Sequence, residues 1–314
     1  MPQKKHSEYR SVSSESTVRA VIGIIGSPLL RPTALRSVFS VFRNFFFLQY
    51  RAALFPGRYP VSQADHPLDK KIPFTPGRVK TYLDFIHFYI RAAGFLIRIS
   101  RQPGILQERK KAMNLINSFI KSLGAVYGKA AEVYSKNFST TNRPSYLSSF
   151  NFIVIHAFDP HLMCIPSLHV MVMILTYTRF KKILNELNGT DALPAKKASN
   201  EVRSGALAIT EAVLYIKQHS VNCISAAMYA MTRFDDSFPE EEAEAFAGDL
   251  FKNADDMNKK DIDEIRSHII NLYRRFIEQG SRTDIWEKPL LDFLASLQDA
   301  DALRKRSFMA APKP

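Results

Sequence analysis

The chain has 314 residues, 46% of them hydrophobic, and its 43 Lys and Arg against 30 Asp and Glu give a formal net charge of +13. That length allows one large domain or two with a substantial core, while a mean hydropathy of −0.14 excludes a chain made mostly of membrane spans. The two cysteines, Cys164 and Cys223, are far apart in sequence, which excludes a disulfide framework or a Cys-x-x-Cys zinc site read from spacing. Positive charge predicts attraction to anionic surfaces, whether lipid headgroups, phosphorylated metabolites or nucleic acid, without choosing among them.

In chain order, residues 1–19 are polar and serine-rich and read as a disordered tail. No secretory signal is evident, since the apolar segment at 20–30 holds two glycines and lacks a cleavage site. Residues 38–48 are dense in aromatics between Arg36 and Arg51, a pattern that fits a membrane-interface helix and a core helix equally well. Proline and glycine punctuate a long connection at 56–77.

Helical periodicity resumes at 79–98, interrupted by Gly94. It returns at 106–134, where Ile116, Phe119, Ile120, Leu123 and Val126 keep the 3, 4 spacing. A polar loop at 135–144 precedes apolar helices at 146–158 and 166–180, an exposed linker at 185–204 and one helix at 205–231. The longest run without Asp, Glu, Lys or Arg is 160–178, 19 residues that barely reach bilayer thickness and contain His161, Pro166 and His169. The chain therefore reads as weakly amphipathic and membrane-associated, with a cytoplasmic location as the alternative. From Asp235 the composition turns acidic, and then Ile262, Ile265, Ile269, Ile270, Tyr273, Phe276 and Ile277 share one helical face. No alternating run insists on a sheet. The expected architecture is all-α: a helical domain at 20–234, a soluble helical appendage at 235–305 and a tail at 306–314.

Three stretches carry chemistry. Lys136 is followed after six residues by Arg143 and Pro144; Pro166-Ser167-Leu168-His169 opens an apolar run; Lys217-Gln218-His219 precedes another. Together they resemble the signature of the type 2 phosphatidic acid phosphatase superfamily, Lys-x6-Arg-Pro, Pro-Ser-x-His and Ser-Arg-x5-His-x3-Asp. The first two parts match in full and the third matches at its histidine. Pro-Ser-Leu-His-Val and Lys-Gln-His are similar to the inositol phosphorylceramide synthase-like branch. The resemblance covers about residues 136–231.

The resemblance implies an all-α helical bundle of the acid phosphatase type, here with extra helices at both ends. It implies a metal-independent phosphatase or phosphoalcohol transferase acting on a lipid phosphate at an anionic membrane surface, with no cofactor. His219 would attack phosphorus to form a phosphohistidine and His169 would protonate the departing alkoxide. Lys136, Arg143 and Ser167 would hold phosphate oxygens, the arginine through its planar fork.

The family's Ser-Arg falls at Ala212 and Val213, with Lys217 the nearest substitute cation, and its Asp falls at Cys223. On a helix both i+3 and i+4 share the face of His219, so Asn222 and Cys223 are the candidates to orient the ring. The amide oxygen is the better acceptor, because a thiol accepts weakly. A second function stays open: a catalytically impaired relative that binds a phosphorylated lipid or a partner through the same basic pocket. Nucleic-acid binding lacks a recognisable fold motif. Asp235, Asp236 and Glu240 read as an acidic helix start rather than a magnesium site, and His156, Asp159 and His161, clustered before the second motif, as loop polarity, with a reach into the site as the alternative.

Overall fold

The computed structural model describes residues 10–102, 108–146, 148–188 and 193–310, and these form an all-α fold. Two helices begin with runs free of charged residues that are buried on every side, and these runs occupy the centre. In α8 (Leu168–Asn188) residues 170–175 are fully buried, and in α10 (Val221–Phe234) the first eleven residues are buried. Around them pack α5 (Phe85–Ile99), α6 (Arg109–Tyr134) and α9 (Leu193–Tyr215), all against α8, and α12 (Lys259–Gly280), against α10. The uncharged run at 160–178 thus lies in this core, and no helix among the described residues is long and apolar enough to cross a membrane.

A further layer comes from the N-terminal region. Helix α1 (Thr17–Ile25) lies on α5, and α2 (Arg31–Val41) runs through a π-helical turn (Phe42–Phe47) into α3 (Leu48–Leu54) along α6. The contact between α2 and α6 is close because residue 124 has no side chain. Ser37 and Ser40 donate to the carbonyls of Ile120 and Gly124 at 2.8 and 2.7 Å, and a Cβ on Gly124 would stand 2.8 Å from Ser37 Cα. Gly124→Ala is therefore expected to lower unfolding free energy by about 1–3 kcal/mol in urea titrations, although alanine is the better helix former.

The aromatic stretch at 38–48 divides between its two readings. Val38, Phe39, Phe42 and Phe47 are exposed, whereas Leu48 and Gln49 are buried. The remaining helices are α4 (Val79–Leu83), α7 (Phe150–Phe158), α11 (Glu240–Asp249) and α13 (Lys288–Ala310).

The strands seen among the described residues are β1 (Val61–Gln63) and β2 (Phe138–Thr140), paired in parallel with Val61 opposite Phe138. Ser139 also bridges to Met163. Its N–H donates to Leu162 O at 3.0 Å, its carbonyl accepts from Cys164 N at 3.2 Å, and its hydroxyl accepts from Ile165 N at 2.7 Å. This staple sets the Lys136–Arg143 loop against the Pro-Ser-Leu-His stretch.

Five expectations are corrected. Residues 10–16 are docked rather than disordered: Val12 is 2% exposed, the N–H groups of Val12 and Ser13 donate to the Glu201 carboxylate at 2.9 and 2.7 Å, and Glu15 pairs with Arg98 at 2.5 Å. Residues 1–9 lie outside the described residues. Most of the expected linker, from 193 onward, belongs to α9, which buries Ala195, Ala198 and Val202 on one face. The expected single helix at 205–231 is interrupted at 216–220. The region after 235 is part of the core, since Ile265, Ile269, Tyr273 and Phe276 are fully buried and Ser225 Oγ donates to Ile269 O at 3.0 Å. The tail expected from 306 begins inside α13. Buried Asp235 pairs with Arg179 at 2.8 Å, and Glu240, Glu241 and Glu242 occupy the first turn of α11, where negative charge meets the positive helix end.

Candidate active site

The interruption between α9 and α10 places His219. Lys217 takes a left-handed conformation with φ 58°, and the N–H groups of Gln218 and His219 turn back to Val213 O at 3.0 and 3.2 Å. A left-handed non-glycine costs about 1–3 kcal/mol. Here Lys217 Nζ donates to the carbonyls of Asp69 and Ile72, which offsets that cost and turns the cation away from His219. The substitute role considered for Lys217 is thereby filled otherwise.

Helix α10 then starts with a cap. Ser220 Oγ accepts from Asn222 N at 3.3 Å, and Ser220 N donates to Cys223 Sγ at 3.4 Å, the sulfur standing where a capping box usually has a carboxylate. The amide of Asn222 donates to Ala64 O at 3.1 Å and its oxygen lies 2.9 Å from His268 Nε2. Neither orienting candidate is therefore committed to His219. The physical reason is that His219 lies before the helix, so the i+3 and i+4 rule does not reach it. The Cys164 carbonyl acts on the ring, yet buried His219 Nδ1 makes no hydrogen bond of normal geometry.

The two histidines meet. His169, in the first turn of α8, places Nδ1 at 3.4 Å from His219 Nε2, with its ring centroid 4.6 Å from Tyr82 and 4.4 Å from Phe85. Burial pulls His169 down to about 4. Burial first, then the neighbouring His169 and His161, put His219 well below the usual histidine range. Both rings are neutral at pH 7, and one must donate to the other.

Beside them sits an ionic cluster. Arg143 donates from Nη1 to Gln218 Oε1 at 3.2 Å and from Nη2 to Asp159 O at 2.8 Å, and its fork lies 3.6 Å from the Asp159 carboxylate. Asp159 also accepts from His161 N at 2.9 Å and approaches the His161 ring at 3.8 Å. His161 Nε2 lies 2.8 Å from Thr141 Oγ1. Burial lowers the His161 pKa, but the Cys164 sulfur and the Asp159 carboxylate outweigh it and hold the ring at about 9. Burial likewise raises Asp159, and His161 and Arg143 overcome it, bringing the carboxyl to about 2.

Asp159 and His161, read from the sequence as loop polarity, thus line the same cavity as His169 and His219. Their clustering just before the second motif was the available signal. The cavity holds about 20 Å³, room for roughly one water. Ser167 is fully buried, its Oγ 3.5 Å from Val170 N. Lys136 is not brought in: its ammonium pairs with Glu287 and is 52% exposed. Among known proteins, no family model, curated protein or solved structure matches the chain.

Proposed function

We propose that the chain is a divergent relative of the type 2 phosphatidic acid phosphatase superfamily that transfers the phosphoryl group of a lipid phosphate ester through a phosphohistidine on His219, without a metal. The observation that carries this reading is the 3.4 Å approach of His169 Nδ1 to His219 Nε2 across 50 residues of sequence. Burial keeps His219 neutral, so a ring nitrogen has a lone pair for attack. An arriving phosphate dianion favours the charged form of His169 and loads it with a proton. His219 then bonds to phosphorus as the ester P–O bond breaks, and the alkoxide takes the proton from His169.

Water or an alcohol next gives its proton to His169 and its oxygen to phosphorus, which releases His219. Arg143, already at the cavity edge through Gln218, supplies the planar fork for the phosphate oxygens. A second reading, an impaired relative that binds a phosphorylated lipid or a partner, is favoured by the 20 Å³ cavity, too small for a phosphate until the site opens, and by the engagement of Lys136 with Glu287.

Purified protein assayed on phosphatidate and on a soluble phosphomonoester, beside His219→Ala, separates the two. The catalytic reading expects turnover in the parent, an acid-labile phosphoenzyme, and a loss of about 10³-fold or more in the variant. No turnover in the parent, or turnover that His219→Ala leaves intact, sinks it.

A further inference from the structure

Two helices of the N-terminal layer leave their apolar faces uncovered. On α1 the exposed residues are Val18, Val21, Ile22 and Ile25; on α2 and the start of the π turn they are Leu35, Val38, Phe39 and Phe42. Both sets follow the i, i+3, i+4, i+7 spacing of one helical face. The faces converge on one cavity of about 180 Å³, lined from α1 by Val21 and Ile25, from α2 by Val38 and Val41, and on its floor by Ile120 and Leu123. A contiguous exposed patch of this kind marks a contact surface in a folded protein.

Charge says what covers it. From residue 16 to residue 64 the chain has six arginines and no Asp, Glu or Lys. Arg19, Arg31, Arg36 and Arg43 are exposed, and the ion pairs among the described residues leave all four without a carboxylate. A second copy meeting this face through a two-fold axis would set arginine against arginine. An anionic lipid surface supplies the missing charge. No helix among the described residues is long and apolar enough to cross a bilayer, whereas helices with one apolar face flanked by arginines suit lying in its interface.

The same stretch also reaches the candidate active site. Phe45, in the π turn, and Gln49, in α3, line the cavity that holds His169 and His219. Gln49 Oε1 accepts from Leu162 N at 3.1 Å, and Tyr50 donates to Phe158 O at 2.9 Å.

We propose that the joined faces of α1 and α2 dock on an anionic lipid bilayer, with the α2–α3 helix as the wall between that bilayer and the His169–His219 cavity. The docking stands on its own observations; the bilayer as the source of the phosphate ester rests on the phosphotransfer reading above. The test is co-sedimentation of the full chain with phosphatidylcholine vesicles and with vesicles carrying about a third phosphatidylglycerol. Binding to the anionic vesicles is expected to be at least tenfold tighter and to weaken with salt.

The double substitution Leu35→Glu, Phe39→Glu, at exposed positions, is expected to lose that binding with an unchanged circular dichroism spectrum. Arg36→Glu, Arg43→Glu is expected to lose the preference for anionic vesicles. No binding by the parent, equal binding to both vesicle types, or a dimer that Phe39→Glu splits while vesicles are ignored would each overturn the proposal. His219→Ala is expected to bind vesicles as the parent does, so a failure of turnover and a failure of docking are read separately.

Discussion

Unfolding free energy is expected to peak between pH 6 and 7 and to fall on both sides, for opposite reasons. On the acid side, burial holds His169 at about 4, against 6.5 for a free ring, and keeps His219 lower still. Below pH 6.5 the unfolded chain takes up protons that the folded chain refuses, so stability declines as pH falls. His169 alone contributes about 3 kcal/mol of that decline by pH 4. His268, stacked on His66 and brought to about 4 chiefly by burial, adds in the same direction. The raised carboxyls of buried Asp69 and Glu211 oppose it at the acid end.

On the basic side the sign reverses. His161 is held at about 9, so its stabilisation is complete below pH 6.5 and is lost as pH rises through 9. Urea titrations across pH 4–9 check both limbs. His169→Phe, which suits the aromatic contacts with Tyr82 and Phe85, should lose about 3 kcal/mol less than the parent between pH 7 and pH 4. Equal slopes for the two proteins would contradict the assignment.

Asp159→Ala is expected to cost about 3 kcal/mol at pH 7. The carboxylate is the common partner of Arg143 and His161, and removing it leaves two mostly buried positive groups without compensation. The His161 pKa should fall as well, since burial would then be opposed by less negative charge. Urea midpoints give the first effect and the titration of the His161 ring proton by nuclear magnetic resonance gives the second. A half-exposed pair such as Lys136 with Glu287 offers the contrast, because such pairs contribute at most about 1 kcal/mol.

The sequence made some of this legible and hid the rest for physical reasons. The stripe of α12 and the apolar blocks of α8 and α10 were readable because large side chains mark a buried face. Helix α9 was obscured where it begins, because its buried face there is made of Ala195, Ala198 and Val202 while Lys196, Lys197, Asn200 and Glu201 lie between them. Two strands of three residues each are too short for alternation to register. The histidine pair was legible through motif order, since both residues sit at the mouths of apolar runs.

The break that detaches His219 from α10 depends on a left-handed Lys217, and lysine gives no local warning of that. Lys136 had the expected spacing but not the expected direction. Its partner, Glu287, lies 151 residues further on, and a pattern of nine residues, Lys136 to Pro144, cannot carry that information.

The π turn has a consequence for how one helix serves two surfaces. In uninterrupted α-helical register the face bearing Leu35, Val38, Phe39 and Phe42 would continue through Phe46 and Gln49. The observed face continues instead through Phe47 and Leu54, one position later, while Gln49 is buried. The turn is thus a phase shift of one residue, about 100° of rotation. Deleting a single residue within Phe42–Phe47 would let the turn close into ordinary α-helix with Gln49 still in the histidine cavity and Leu54 still exposed, whereas regular α-helix at the present length would swing both by about 100°. The one extra residue held in that turn, rather than any side chain in it, keeps Gln49 turned to the histidine pair while the apolar face of α2 stays turned outward.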